Sequence, residues 1–180
     1  MPTTEEQKQV LIAYKCGDVS LGGTPLVNYL LRDGKTCEWV QILDNLMVKG
    51  GTPKTLYRVL AQENICIEEG DIICDEAFLS TTSEMRCVPN FMVFPHSAIL
   101  IINNCSSVRS INVVKVLGNT NDEQEFILPR KLRLHIIDTD SYEQNTFDSF
   151  LQNYDIDASS KELKDIRKVE TIMVYKVEPH

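Results

Sequence analysis

Three short stretches carry side chains whose types and spacing could do chemistry. In Leu56-Tyr57-Arg58-Val59-Leu60 an arginine stands in the middle of an otherwise apolar run. An unpaired guanidinium is costly in a core, so Arg58 either snorkels at a sheet edge or is reserved for a buried anion. In Phe78-Leu79-Ser80-Thr81-Thr82-Ser83 an apolar stretch runs into four consecutive hydroxyls. Ser and Thr satisfy local backbone groups readily, so taken alone this run reads as a turn or cap. In Asp122-Glu123-Gln124-Glu125-Phe126-Ile127-Leu128-Pro129 two carboxylates are spaced by two. On a strand that spacing places Glu123 and Glu125 on one face, a few ångströms apart. Like charges so close are unfavourable unless solvent or a cation accepts them. The pair is then either the wet beginning of a strand or two acids at a cleft, one stabilising positive charge and one handling a proton or a cationic substrate.

These stretches need strands to hold them, and the rest of the chain supplies a frame. Val10, Leu11 and Tyr14 recur at helical spacing behind Glu5-Glu6, which suits a helix N-terminus. Thr24 as N-cap with Pro25 at the first helical position predicts a second helix through Leu26, Asn28, Leu30 and Leu31, stopping near Gly34. Val40, Leu43, Leu46 and Met47 predict a third, ended by Gly50-Gly51. Strands are expected at 55–60, 78–82, 98–103, 111–116, 123–128, 131–137 and 171–177, separated by turn-forming residues. The acidic, polar segment 138–168 is expected either to hold a short helix around Phe147, Phe150 and Leu151 or to be partly mobile. The result is one α+β domain over 1–180, helical over about 1–50 and β-rich over about 51–137 and 170–178.

Composition excludes several classes. The 180 residues are 43% hydrophobic and 24% charged, with a formal net charge of −8, enough to bury a core without staples and of a sign that repels a polyanion. Nucleic acid is therefore not expected as a partner. No run approaches the about 20 apolar residues that cross a bilayer, and the start MPTTEEQKQV lacks the basic and apolar regions of a signal peptide. The expectation is a cytosolic monomer, or a protein delivered into a host cytosol. The six cysteines form no C-x-x-C pair, and with three histidines no metal site is signalled. Buried reduced thiols are the simpler reading.

In their order along the chain, the three stretches resemble the mono-ADP-ribosyltransferases of the arginine/serine/glutamate type, which include clostridial binary toxins and vertebrate ecto-ADP-ribosyltransferases. Arg58 looks like that family's first-strand arginine, Ser80-Thr81-Thr82 like its Ser-Thr-Ser strand, and Glu123-Gln124-Glu125 like its Glu-x-Glu. Val27-Asn28-Tyr29-Leu30-Leu31-Arg32 is similar to its Ile-Asn-x-x-Leu-Arg helix, and 41–56 to the helix and connection that follow. The similarity runs over about 14–137 and extends to the strand at 171–177, with 138–168 looking like an insertion. Thr82 stands where serine is usual, and Val59 where a small residue is frequent.

The resemblance implies N-terminal helices packed on a two-sheet β core with an NAD cleft, NAD as substrate, no metal, and transfer of ADP-ribose to another protein. It implies that Glu125 stabilises the cationic ribose and grips its 2′-hydroxyl, that Arg58 pairs with the pyrophosphate, and that Ser80 holds Glu125. Thr81 and Thr82 would belong to the cofactor-binding set, with Thr82 steadying the strand and its neighbour, Phe91 would pack against nicotinamide, and Asn28 and Arg32 would add contacts across the cleft. Glu123, two residues before the catalytic glutamate, implies an arginine acceptor. Two alternatives stay open: an NAD glycohydrolase, in which water captures the ribose cation, and a non-catalytic binding module of the same fold.

Overall fold

Thr4 starts the first helix. Its hydroxyl accepts from Gln7 N at 3.2 Å while its own amide donates to Gln7 Oε1 at 2.9 Å, a reciprocal capping box. The helix, α1 (Glu5–Cys16), stops at Gly17, whose backbone (φ +65°) and tight approach to the Gly23 carbonyl leave no room for a Cβ. The computed structural model describes residues 3–21, 23–61, 67–68, 71–92, 96–118, 124–143, 147–157, 169 and 171–180.

Helices α2 (Leu26–Arg32) and α3 (Glu38–Leu46) follow near their predicted places. The start of α2 differs from expectation: Pro25 is the cap residue, extended at ψ 132°, and no side chain among the described residues caps the helix. Thr24 instead accepts from Asp18 N and donates to Leu21 O through its backbone, closing the preceding loop. The three helices bury Leu11, Tyr14, Val27, Val40 and Leu43 in one cluster with Phe78 and with Ile127 of the sheet; Phe78 immediately precedes a strand.

Among the described residues nine strands follow: β1 (Leu56–Ala61), β2 (Ile67–Glu68), β3 (Ile72–Cys74), β4 (Leu79–Thr82), β5 (His96–Ile102), β6 (Ile111–Asn112), β7 (Glu125–Leu128), β8 (Arg133–Glu143) and β9 (Thr171–Pro179). They hydrogen-bond in the order β2-β3-β8-β9-β5-β1-β4-β7-β6, antiparallel throughout except β5 with β9. The α+β class is as expected. The two-sheet core is joined into one ladder because β1 pairs on both sides, broadly with β5 and through Tyr57↔Thr82 with β4. The two wings close over a shared core, in which Leu79, Phe126 and Leu128 pack with Leu100, Ile102 and Val177.

Two sequence expectations change in the second half. The strand predicted at 111–116 ends at Asn112, whose Oδ1 accepts from Lys115 N at 2.9 Å and starts helix α4 (Val113–Leu117). A capping side chain outweighs the β-branched run that follows it. Strand β8 continues to Glu143, beyond the predicted 137. The short helix expected near Phe150 is α5 (Phe147–Asn153), which buries Phe150 and Leu151 against Ile99, Ile101 and Ile172. Among the described residues, no helix is long and apolar enough to cross a membrane.

Candidate active site

The three motif strands are neighbours in the sheet, β1-β4-β7, with Tyr57, Thr82 and Glu125 in one row across them. Arg58 therefore lies on an interior strand, paired with Leu100 of β5, and the edge reading fails. Its Nε is buried and has no hydrogen-bond partner among the described residues. Burial pushes the guanidinium pKa down. Tyr14, Asp75 and Glu125 oppose that shift, while Arg32 adds to it. A guanidinium is not deprotonated near neutral pH, so the site holds a buried cation with a donor that no described residue uses.

Arg32, expected to reach across the cleft, is committed elsewhere. Its Nε and Nη2 fork onto Asp75 at 3.0 and 2.6 Å. That bond holds its pKa up, and Asp75 Oδ1 also accepts from Ala77 N. Asn28 is likewise committed. Its Nδ2 donates to Phe78 O and to Tyr14 Oη, both at 3.1 Å, and its Oδ1 accepts from Phe78 N at 3.2 Å. The amide acts as a clamp on the start of β4, which explains why it is buried in a helix facing a sheet.

Tyr14 is the hub that joins these pieces. Its hydroxyl donates to Phe78 O at 3.4 Å and accepts from Asn28 Nδ2 and from Ser80 Oγ, the latter at 3.2 Å. Burial raises its pKa, against the opposing hydrogen bond from Ser80. Ser80 therefore points to Tyr14, and among the described residues it makes no hydrogen bond to Glu125. The other hydroxyls of the motif also serve the scaffold. Thr81 Oγ1 donates to Phe126 O at 2.8 Å, tying β4 to β7, and Thr82 Oγ1 accepts from Glu84 N at 3.0 Å, shaping the turn after β4.

Glu125 opens β7, and its Oε2 accepts from Lys15 Nζ at 2.8 Å. Gln124 just before it has a left-handed backbone, φ +44°. Strand alternation therefore does not pass through Gln124, and the same-face argument for Glu123 with Glu125 loses its basis; Glu123 itself lies outside the described residues. Phe91 ends a 3-10 segment (Met85–Phe91) after β4. Val88 and Met92 beside it are buried, whereas Phe91 is 42% exposed, leaving its ring open to a ligand.

Sequence reasoning missed three residues that organise the site. Tyr14 was visible as part of an apolar helical stripe, but its hydroxyl contacts were not. Lys15 is 110 positions from Glu125, and Asp75 is 43 from Arg32. No local pattern signals either pairing. Among the described residues, no group of three or more His, Cys, Asp or Glu could hold a metal ion.

No family model matches the sequence, and no curated protein matches it by sequence. The fold is shared: 70 solved chains match it. Plx2a, an ADP-ribosyltransferase toxin from Paenibacillus larvae, superposes at TM-score 0.60 and 14% identity over 98% of this chain and 87% of its own. The ATR domain of Salmonella SpvB matches at TM-score 0.59 and 16% identity, over 97% of this chain and 99% of its own. Exoenzyme S from Pseudomonas aeruginosa, solved with human 14-3-3 protein beta and carba-NAD, matches at TM-score 0.59 and 14% identity, over 96% of this chain and 74% of its own. The chain thus has the fold of the bacterial ADP-ribosyltransferase toxins.

Proposed function

We propose that the protein is a mono-ADP-ribosyltransferase that takes NAD+ as substrate, transfers its ADP-ribose to an arginine of a target protein and releases nicotinamide. The observation that carries this reading is the Nε of Arg58, buried and without a hydrogen-bond partner among the described residues, on a strand two places from Glu125 within the ADP-ribosyltransferase fold. A pyrophosphate offers the paired acceptors that such a guanidinium lacks. The 180 residues are read as one such domain, with 138–168 as an insertion. The target acts as partner in the cytosol of its own cell or of a host.

The proposed chemistry follows from charge. As the bond between nicotinamide and ribose breaks, its electron pair leaves with the neutral nicotinamide and positive charge spreads over the ribose. A fixed carboxylate stabilises that charge, as in glycoside hydrolysis. Glu125 takes this role, with Phe91 offering its exposed ring to the nicotinamide. The guanidinium nitrogen of the acceptor then bonds to the ribose carbon, and Glu123 orients the fork and receives its proton. Asn28, Thr81 and Arg32 act through the scaffold, because their polar groups are already engaged within the protein.

Incubation with labelled NAD+ and an arginine-bearing acceptor tests the reading. Nicotinamide release together with label on arginine is expected. Free ADP-ribose without protein-bound label means a glycohydrolase. NAD+ binding by calorimetry without turnover means a binding module, and neither binding nor turnover overturns the proposal altogether.

A further inference from the structure

We propose that Lys15 is a positioning residue for Glu125, taking the task that the family resemblance implies for Ser80; this rests on the catalytic role proposed above for Glu125. The Lys15 ammonium donates to Glu125 Oε2 at 2.8 Å, and the two side chains are only 17% and 13% exposed. A charge-assisted bond in such a place is shorter and stronger than one between neutral groups. Glu125 Oε1 has no hydrogen-bond partner among the described residues. One oxygen is thus anchored and the other is presented, which fixes a side chain that otherwise samples several rotamers.

The anchor is itself held. Lys15 lies in the last turn of α1, where a cation meets the negative end of the helix dipole. Its neighbour Tyr14 is fully buried and bonded to Asn28, Phe78 and Ser80. Consecutive residues of one helix therefore hold Ser80 of β4 and Glu125 of β7, so the end of α1 sets the spacing between the two motif strands' polar groups. Ser80 cannot anchor Glu125 while its hydroxyl proton serves Tyr14.

The test is steady-state NAD+ cleavage by the wild type, K15M and K15R, with folding followed by circular dichroism. K15M is expected to lower kcat by roughly 10- to 100-fold with a much smaller change in KM for NAD+, since a misplaced carboxylate costs rate more than ground-state binding. K15R, which keeps a cation within reach, is expected to recover most of the lost kcat. An unchanged or faster K15M, as for a counter-ion that substrate must displace, overturns the proposal. So does a rise in KM alone, or a K15R that is folded yet as slow as K15M; should K15M fail to fold, K15R decides by the same criterion. A wild type that cleaves no NAD+ overturns the proposed function and this inference with it, whereas wild-type cleavage with an unimpaired K15M overturns this inference alone.

Discussion

Arg32 forks onto Asp75 through two hydrogen bonds of 3.0 and 2.6 Å, and this pairing separates the two arginines of the site. Asp75 satisfies one guanidinium bidentately, while the Nε of the other, Arg58, stays buried without a partner among the described residues. On the proposed reading that guanidinium awaits an external anion, and its burial carries a cost in stability that ligand binding would offset.

That cost is measurable. Arg58→Met is expected to raise the melting temperature of the ligand-free protein, because it removes a buried charged group whose Nε has no hydrogen-bond partner among the described residues, while conserving much of the volume. The same variant is expected to weaken NAD+ binding roughly 10- to 100-fold, the worth of a charged hydrogen bond. Thermal melts and calorimetry read the two effects separately. A variant that melts lower and binds normally contradicts the assignment.

Tyr14→Phe removes the acceptor used by Asn28 Nδ2 and Ser80 Oγ. A buried donor left unsatisfied costs about 1–3 kcal/mol, so urea denaturation is expected to show a loss of that size. Combining it with Asn28→Ala is expected to cost less than the two single losses together, since both changes break the same bond. Strict additivity argues against a shared network.

The two glutamates are expected to separate by function. Glu125→Gln loses both nicotinamide release and transfer, by roughly 100-fold or more, because the developing cation loses its carboxylate. Glu123→Gln loses transfer to arginine and keeps some hydrolysis of NAD+. Equal loss of both activities in the two variants would contradict this division.

Alkaline pH is expected to destabilise the fold in two steps. Burial pushes the Cys105 thiol from 9.0 up to about 12 and raises the Tyr14 phenol above its ordinary 10.0. Both groups keep their proton longer when folded than when unfolded. Their stabilising contribution is complete below the unfolded pKa and is lost as pH rises through the folded one. Denaturation midpoints are therefore expected to fall from about pH 9 upward, and Cys105→Ala to flatten the first part of that fall. At neutral pH a thiol reagent is expected to label the exposed Cys16 and to leave Cys105 untouched in the native protein.

Much of the frame was legible from local signals. The helices at Val10–Tyr14 and Val40–Leu46 and the strands around Arg58, Ser80 and Glu125 follow from periodicity and from turn residues, which act over a few positions. The failures were local competitions as well. Asn112 capped a helix where β-branched residues predicted a strand, and Pro25 took the cap expected of Thr24. The two-residue and three-residue strands β2 and β3 were too short for a pattern to register.

The sequence by itself determined which residue types stand on which strands, because alternation and charge within apolar runs are properties of neighbouring positions. Only the tertiary structure decided who meets whom. Asn28 clamps Phe78, Arg32 turns to Asp75, Ser80 serves Tyr14 and Lys15 takes Glu125, leaving Arg58 unsatisfied at its Nε among the described residues. Hydrogen bonds and ion pairs are short-ranged and directional, so these partnerships depend on how α1, α2 and the sheet pack, and chain spacing does not encode that packing.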